Sequence, residues 1–494
     1  MTPLRLLALV NLLGAACAGS QTRVIDNDRR VTQPLAAATD PELIQMTGEA
    51  TTSLVAANAT SELGVRVRIV ASELPGAKRP PLNLGLVLDT SGSMEGKAIA
   101  ELRRSARQLV EKLRPGDRVS VVTFHSRAEV LVPGTVIDAT SQPRVLAAIE
   151  AIRATGTTDL AAGLAAGLAQ VQAGQAGTGQ GGKAIHRIVL LSDGVPNASA
   201  QLPAIVAGIR QYGFSITTLG LGIDYDTALM TQLAQGTGGT FHYVEEPEQV
   251  AAVFDDELTR MTTAVGKNLV LTLSPGPGVT FQPMQGLSIG GDGKANASLG
   301  DLPAGEVRDL MIPIKVAARG DASTAELVDA ALAFDDVVNQ AGRLGRAAFV
   351  SVKASSDAAE VRRAVKIDLE AARVRTTAAS AILEAIALAR QGAIAEAQAR
   401  IAAAAAAVRA AAARLEDAEL GHVLRELEDV SKQLAQLVVP APQVGLQDAS
   451  PARGPAGGPR AMRPVAPATA PAPVERKLRR AQEKASATVT GEAW

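Results

Sequence analysis

The chain has 494 residues, too many for one compact domain, so about two to four units are expected. Apolar residues make up 47% of it but aromatics only 2%, so Leu, Val, Ile and Ala must fill the cores. A net charge of −1 gives no global field for nucleic acid, which is not expected as a partner, and the single cysteine excludes an internal disulfide and a cysteine-based zinc cluster.

Residues 1–20 (MTPLRLLALVNLLGAACAGS) place Arg5 before an apolar run, Leu6 to Leu13, and small residues from Gly14 to Gly19. This is the layout of a secretory signal peptide over 1–18, short for a membrane span. Two processing routes fit. Ala16-Cys17-Ala18 is a small-x-small cleavage site, and Leu13-Gly14-Ala15-Ala16-Cys17 resembles a bacterial lipoprotein signal, with Gly14 where Leu is usual. Either route exports the protein to the bacterial cell envelope, periplasmic, secreted or membrane-anchored through lipid on Cys17. Residues 19–49 read as a polar linker. The run 64–72 (LGVRVRIVA) alternates apolar and charged side chains, as a half-buried strand does, and Pro80-Pro81 then punctuates the chain.

From 80 to 263 short apolar runs alternate with helical spacing. LNLGLVLD (82–89) is nearly all apolar, as expected of a strand covered on both faces. Helical spacing follows over 97–113, ended by Pro115-Gly116. A strand is expected over 117–124, a short edge strand over 128–132, and helices over 142–153 and 160–172. Strands over 186–193, 214–222 and 239–246 alternate with helices over 200–212, 226–235 and 248–263. Such alternation implies an α/β fold with a doubly wound, mainly parallel sheet.

Residues 265–355 change character. LVLTLSP, VTFQPM, LMIPIKVAA and AAFVSVKAS are β-type runs separated by Gly and Pro, so an accessory, sandwich-like β domain is expected from 50–79 plus 265–355, with the α/β unit inserted in it. Residues 357–436 are rich in Ala, Leu, Glu and Arg and read as a C-terminal helical hairpin or bundle broken at Gly392 and Gly421. The Pro/Ala/Gly-rich stretch from Pro440 sets the composition of 437–494, which reads as a disordered tail with a transient helix in its basic end, 475–484.

The chemistry concentrates at the end of the first α/β strand, in Asp89-Thr90-Ser91-Gly92-Ser93-Met94. One carboxylate and two hydroxyls on a tight loop are hard oxygen donors, which suit a cation such as Mg²⁺, bound octahedrally at about 2.1 Å with several waters retained. Gly156-Thr157-Thr158-Asp159-Leu160 precedes a helix and offers a further hydroxyl. Ser192-Asp193-Gly194 ends another strand and offers a second carboxylate. Each fragment alone is also an ordinary turn or helix cap. Ligands of doubly wound sheets gather at the carboxyl ends of strands, where these three fall.

Together these motifs, in this order over about 82–263, resemble the von Willebrand factor A family with its metal-ion-dependent adhesion site. Pro115-Gly116-Asp117-Arg118-Val119, Leu219 to Gly222 and Gly236 to Thr240 support the resemblance. It implies that Ser91, Ser93 and Thr158 touch Mg²⁺ (or Mn²⁺ or Ca²⁺) through hydroxyls. Asp89 and Asp193 would act directly or through water, and a carboxylate from a protein partner's Asp or Glu would fill the open position. Thr157 stands where the family more often has Gly; spacing to Leu160 favours Thr158 as the donor.

Other signals carry less. Gly177-Thr-Gly179-Gln-Gly-Gly182 matches a dinucleotide fingerprint but precedes a strand, and Gly92 to Lys97 lacks the spacing of a phosphate loop. His125, His186, His242 and His422 form no HExxH pair, no G-x-S-x-G elbow occurs, and Asp255-Asp256-Glu257 reads as a solvated helix face. No general base or nucleophile accompanies the five oxygen donors, so an adhesion or scaffold protein is expected, not an enzyme. The alternatives are an assembly factor acting through the C-terminal helices and tail, and a metal-dependent hydrolase.

Overall fold

A computed structural model describes residues 42–73, 80–177, 184–194, 200–222, 225–339, 341–437 and 472–491. The signal peptide, Cys17 and most of the expected linker lie outside the described residues, as does most of the Gly/Gln loop at 178–183.

In chain order the first strands are β1 (Ile44–Ala50), β2 (Leu54–Ala56) and β3 (Ser61–Ala71). The α/β unit follows: β4 (Leu82–Asp89), α1 (Lys97–Glu111), β5 (Arg118–Phe124), β6 (Ala128–Val136), α2 (Ser141–Glu150), α3 (Leu160–Gly177), β7 (Ile185–Ser192), α4 (Leu202–Gln211), β8 (Ser215–Leu221), α5 (Thr227–Thr237), β9 (Phe241–Val244) and α6 (Val250–Thr262). The chain then forms β10 (Ala264–Pro275), β11 (Val279–Phe281), β12 (Ser288–Ile289), β13 (Ala295–Pro303), β14 (Val307–Val316), β15 (Thr324–Asp336) and β16 (Arg343–Ser355). It ends in α7 (Ala358–Arg363), α8 (Ile367–Arg390), α9 (Ile394–Leu415), α10 (Ala418–Leu434) and α11 (Ala472–Thr490).

The doubly wound sheet runs β6-β5-β4-β7-β8-β9, parallel except for the antiparallel edge strand β6. Every residue of β4 is buried. Leu82, Leu84, Leu86 and Leu88 point into the core that holds α1 and α6, whereas Val87 points into the core of α3, α4 and α5. Glycines set how closely α3 approaches. A Cβ on Gly163 would meet the Phe124 ring at 2.7 Å, one on Gly174 would meet Asn83 Oδ1 at 2.5 Å, and one on Gly167 would overlap Val87. These three positions face the strands and let the helix press against them. In the sheet β4 pairs with β5 on one side and β7 on the other, so the connections leaving its carboxyl end diverge and open a crevice there.

β1-β3-β14-β11 and β12-β13-β10-β15-β16-β2 form two sheets that share one apolar core. In β3 the period of two is clear. Val65, Val67 and Ile69 are fully buried, while Arg66 and Arg68 point outward to Glu49 and Asp309. The α/β unit is inserted between β3 and β10. Its base meets the sandwich through buried charges: Arg187 Nη2 lies 2.9 Å from Asp301, and Lys267 Nζ donates to Ala184 O at 2.8 Å.

Beyond shifts of a few residues at element ends, three assignments differ from the expected ones. Residues 44–49, assigned to the linker, belong to β1, which pairs in register with β3 (Ile44 with Ala71, Ala50 with Val65). Polar residues interrupt its apolar alternation, which only pairing makes stable. Helix α10 runs through Gly421, and the break falls at Glu416, in left-handed conformation, and at Asp417, whose carboxylate caps the amides of Glu419 and Leu420. The expected disorder over 437–494 does not hold for 472–490, which form α11. Its Val474, Leu478, Ala485 and Val489 are buried on one face, and the composition of the preceding Pro-rich stretch obscures that spacing.

Candidate metal centre

The site is built at the carboxyl ends of β4 and β7. Asp89, the last residue of β4, is fully buried, and its carboxylate accepts from Ser91 N at 2.9 Å and from Ser192 Oγ at 2.5 Å. The chain then makes one 3₁₀ turn, Gly92–Met94, closed by Met94 N donating to Ser91 O at 3.0 Å. Met94 is fully buried in the core below. This plug anchors the turn while Ser93, beside it, stays exposed.

Three backbone bonds tie this turn to its neighbours, and a fourth ties those neighbours to each other. Thr90 N donates to Phe124 O at 2.8 Å, Gly92 N to Gly156 O at 3.0 Å, Thr155 N to Thr90 O at 2.7 Å, and Asp159 N to His125 O at 2.7 Å. Gly156 has φ +72°, and a Cβ there would stand 2.5 Å from Ser126 Oγ, so both conformation and space call for glycine. Asp159 caps α3 through the amide of Ala162 at 3.0 Å.

The five candidate residues come together. Ser91 Oγ and Ser93 Oγ are 3.0 Å apart, and Ser93 Oγ donates to Asp193 Oδ1 at 2.8 Å. Thr158 is buried, and its Oγ1 lies 3.0 Å from where a Cβ on Gly194, next to Asp193, would stand. Thr157 turns away, its hydroxyl 3.2 Å from Ser126 Oγ and its amide donating to the same atom at 3.0 Å. Of the adjacent threonines, Thr158 is therefore the one that belongs to the crevice. Ser192 is the residue that the motif alone does not single out. It precedes Asp193 in the strand, is fully buried, and is the side chain that holds Asp89. A hydroxyl at the last position of a strand beside an acidic strand end is the available signal.

Among the described residues Asp89 forms no ion pair. Burial pushes its carboxyl above the ordinary value, opposed by hydrogen bonds from Ser192 and Ser91 and by the nearby His125. Among the described residues no cluster of three or more His, Cys, Asp or Glu side chains could hold a metal. The site is instead two carboxylates with three hydroxyls, a donor set that fits a hard divalent cation and would gain from its charge.

A doubly wound sheet with this hydroxyl–carboxylate loop at its switch point defines an α/β ligand-binding domain of the von Willebrand factor A type. Residues 83–256 match the sequence model of the von Willebrand factor type A domain, and the α/β unit is a domain of that family. Proteins with this domain generally mediate metal-dependent protein interactions. The chain is 29% identical over 220 residues to protein sll0103 of Synechocystis sp., covering 44% of this chain and 50% of that protein. Over 203 residues it is 28% identical to human inter-alpha-trypsin inhibitor heavy chain H4, covering 40% of this chain and 21% of that one. The matches thus span half or less of these relatives. Two solved structures share the fold. The von Willebrand factor type A protein of Catenulispora acidiphila has TM-score 0.66 at 16% identity, covering 93% of this chain and 100% of that one. The ArnB paralog VWA2 of Sulfolobus acidocaldarius has TM-score 0.53 at 17% identity, covering 79% and 98%.

Proposed function

We propose that the protein is a metal-dependent protein-binding component of the bacterial cell envelope. In this reading Asp89, Ser91, Ser93, Thr158 and Asp193 hold Mg²⁺, or Mn²⁺ or Ca²⁺, and an Asp or Glu side chain of a partner protein completes the site. The carrying observation is Asp89, a fully buried carboxylate without an ion-pair partner among the described residues, at the head of a hydroxyl chain that ends on Asp193. A bound dication would supply the missing positive charge and orient the incoming carboxylate. The chain's own residues do the rest: Ser192 and Ser91 aim Asp89, Met94 seats the turn, and Ser93 presents its hydroxyl to solvent. Among the described residues no imidazole or amine hydrogen-bonds a hydroxyl of the donor set to activate it as a nucleophile, which favours binding over catalysis. Among the described residues no helix is long and apolar enough to cross a membrane. Attachment would then rest on the signal sequence and lipid on Cys17.

The test is calorimetric titration of Mg²⁺ and Mn²⁺ into the full chain, Asp89→Ala, Thr158→Ala and Thr157→Ala. Saturable binding is expected in the wild type and Thr157→Ala, weakened in Thr158→Ala and lost in Asp89→Ala. A folded wild type that takes up neither ion would sink the metal reading. A partner retained after its acidic side chain is removed would sink the carboxylate reading.

A further inference from the structure

Helix α11 returns from the C-terminus to the α/β domain. Val474, Leu478 and Val489 are buried in the helical core, while other side chains reach the domain's far edge. Glu483 accepts from the backbone N–H of Tyr243 at 3.1 Å, taking a free donor of the edge strand β9. Arg480 pairs with Glu245, and Gln235 Nε2 donates to Ser486 Oγ at 2.6 Å. The centre of the contact is Arg479, only 4% exposed. Its guanidinium stacks 4.2 Å over the Tyr225 ring, donates to Tyr225 O at 3.1 Å and to Thr227 Oγ1, and faces Glu475 at 3.0 Å.

Tyr225 in turn lies flat on β8. A Cβ on Gly220 would overlap its ring, so ring and strand cannot move independently. Gly220 is the β-partner of Ser192, and Ser192 holds Asp89. Arg479, Tyr225, Gly220, Ser192 and Asp89 thus form an unbroken series of contacts from the C-terminal helix to the candidate metal centre.

We propose that α11 is an intramolecular strap whose docking sets the metal affinity of the α/β domain, with Arg479 as the positioning residue. The proposal rests on the metal reading of the site. With α11 seated, Tyr225 pins the end of β8, β8 supports the end of β7, and Ser192 presents Asp89 in one orientation. Undocked, the ends of β8 and β7 lose that support and the carboxylate is less well placed. Such coupling needs a contiguous element that both sites bias, and the two paired strand ends supply it.

The experiment uses the full chain, wild type and Arg479→Ala, with Lys484→Ala as a control that removes an exposed pair to Glu426. By calorimetry the Mn²⁺ affinity of Arg479→Ala is expected to fall about three- to tenfold, with the control unchanged. Amide exchange at residues 190–194 and 219–222 should quicken in the metal-free variant. Linkage also requires the reverse effect: saturating Mn²⁺ should slow exchange of the α11 amides in the wild type. Arg479→Lys keeps the charge without the planar fork and should lie between wild type and alanine, which covers the case of a poorly folded alanine variant. Equal Mn²⁺ affinities beside faster exchange of α11 would overturn the proposal. A wild type that binds no Mn²⁺ counts against the metal reading, and the coupling is then decided by metal-free exchange. Quicker exchange at 190–194 in Arg479→Ala supports it, and unchanged protection there overturns it.

Discussion

Replacing Ser192 by Ala tests the construction of the site most directly, because it removes one oxygen that is itself not a proposed ligand. The Ser192 Oγ bond to Asp89, 2.5 Å long and fully buried, is a hydrogen bond to a charged group, worth about 1.5–3 kcal/mol. Without it Asp89 keeps the Ser91 amide and moves further above its ordinary value. The sign follows from the raised folded pKa: ionised Asp89 costs stability at neutral pH, and that cost is relieved as pH falls and the carboxyl protonates. The deficit of Ser192→Ala should therefore be largest near neutrality and shrink in acid. Metal binding should weaken as well, since groups that orient a ligand typically contribute about 10–100-fold in affinity. At a free Mn²⁺ concentration about 100 times the wild-type Kd, the ion should stabilise the wild type by about 2.7 kcal/mol and a tenfold weaker variant by about 1.4 kcal/mol. Urea unfolding of the domain, followed by hydrogen exchange in β4 and β7 with and without Mn²⁺, reads both numbers. Wild-type stability together with an unchanged Kd would refute the role of Ser192.

At the base of the domain, Arg187→Met should destabilise by about 3–5 kcal/mol, because it leaves buried Asp301 without its 2.9 Å partner and removes a charge 3.9 Å from Glu257. Burial pushes the Glu257 carboxyl up, but His242, Arg187 and Thr217 outweigh it and hold it at about 2, so urea midpoints should show the loss while metal affinity at the opposite end of the sheet stays within twofold. His186 is held down to about 4 by burial and by the charge of Lys267. The unfolded imidazole takes its proton near pH 6.5, so this stability is complete above 6.5 and is lost as pH falls toward 4. It amounts to about 2 kcal/mol between pH 7 and 4.5. Urea midpoints at those two pH values should differ less in His186→Gln than in the wild type by that amount, and equal slopes would exclude His186 as the source.

Much of the α/β unit could be read from residues because its central strands are buried on both faces and most of its helices are amphipathic, so period and burial agree. β4 is a continuous apolar run whose carboxyl end carries the donors. The sandwich was harder to read. β15 contains Glu326, Asp329, Asp335 and Asp336, which face outward or bind turn amides, and this charge hides an alternation that appears only against β10 and β16. Helix α11 was obscured for a different reason. Its basic residues suit a solvated tail, and what orders it is tertiary: Glu245 and Tyr225 lie more than two hundred residues earlier. The same limit applies to Ser192, whose role exists only because β4 and β7 are neighbours. Local pattern can report donor types, but which donor supports which depends on strand order.

Two of the places at which the domain meets the rest of the chain differ in kind. The base is fixed by buried pairs, Arg187 with Asp301 and Lys267 with the Ala184 carbonyl, where separation would leave charges and polar groups unpaired in the interior. The β9 edge is held by one helix that makes a stacked guanidinium contact, one edge hydrogen bond and exposed pairs, a contact that can open at lower cost. Neither attachment involves Ser93, which remains exposed on the metal-centre face. A partner carboxylate can thus reach the centre without either attachment being broken. Of the two, the α11 contact is the one that continues through Tyr225 and Gly220 to the residue that aims Asp89, so an influence of the C-terminal helices on binding should travel by that edge.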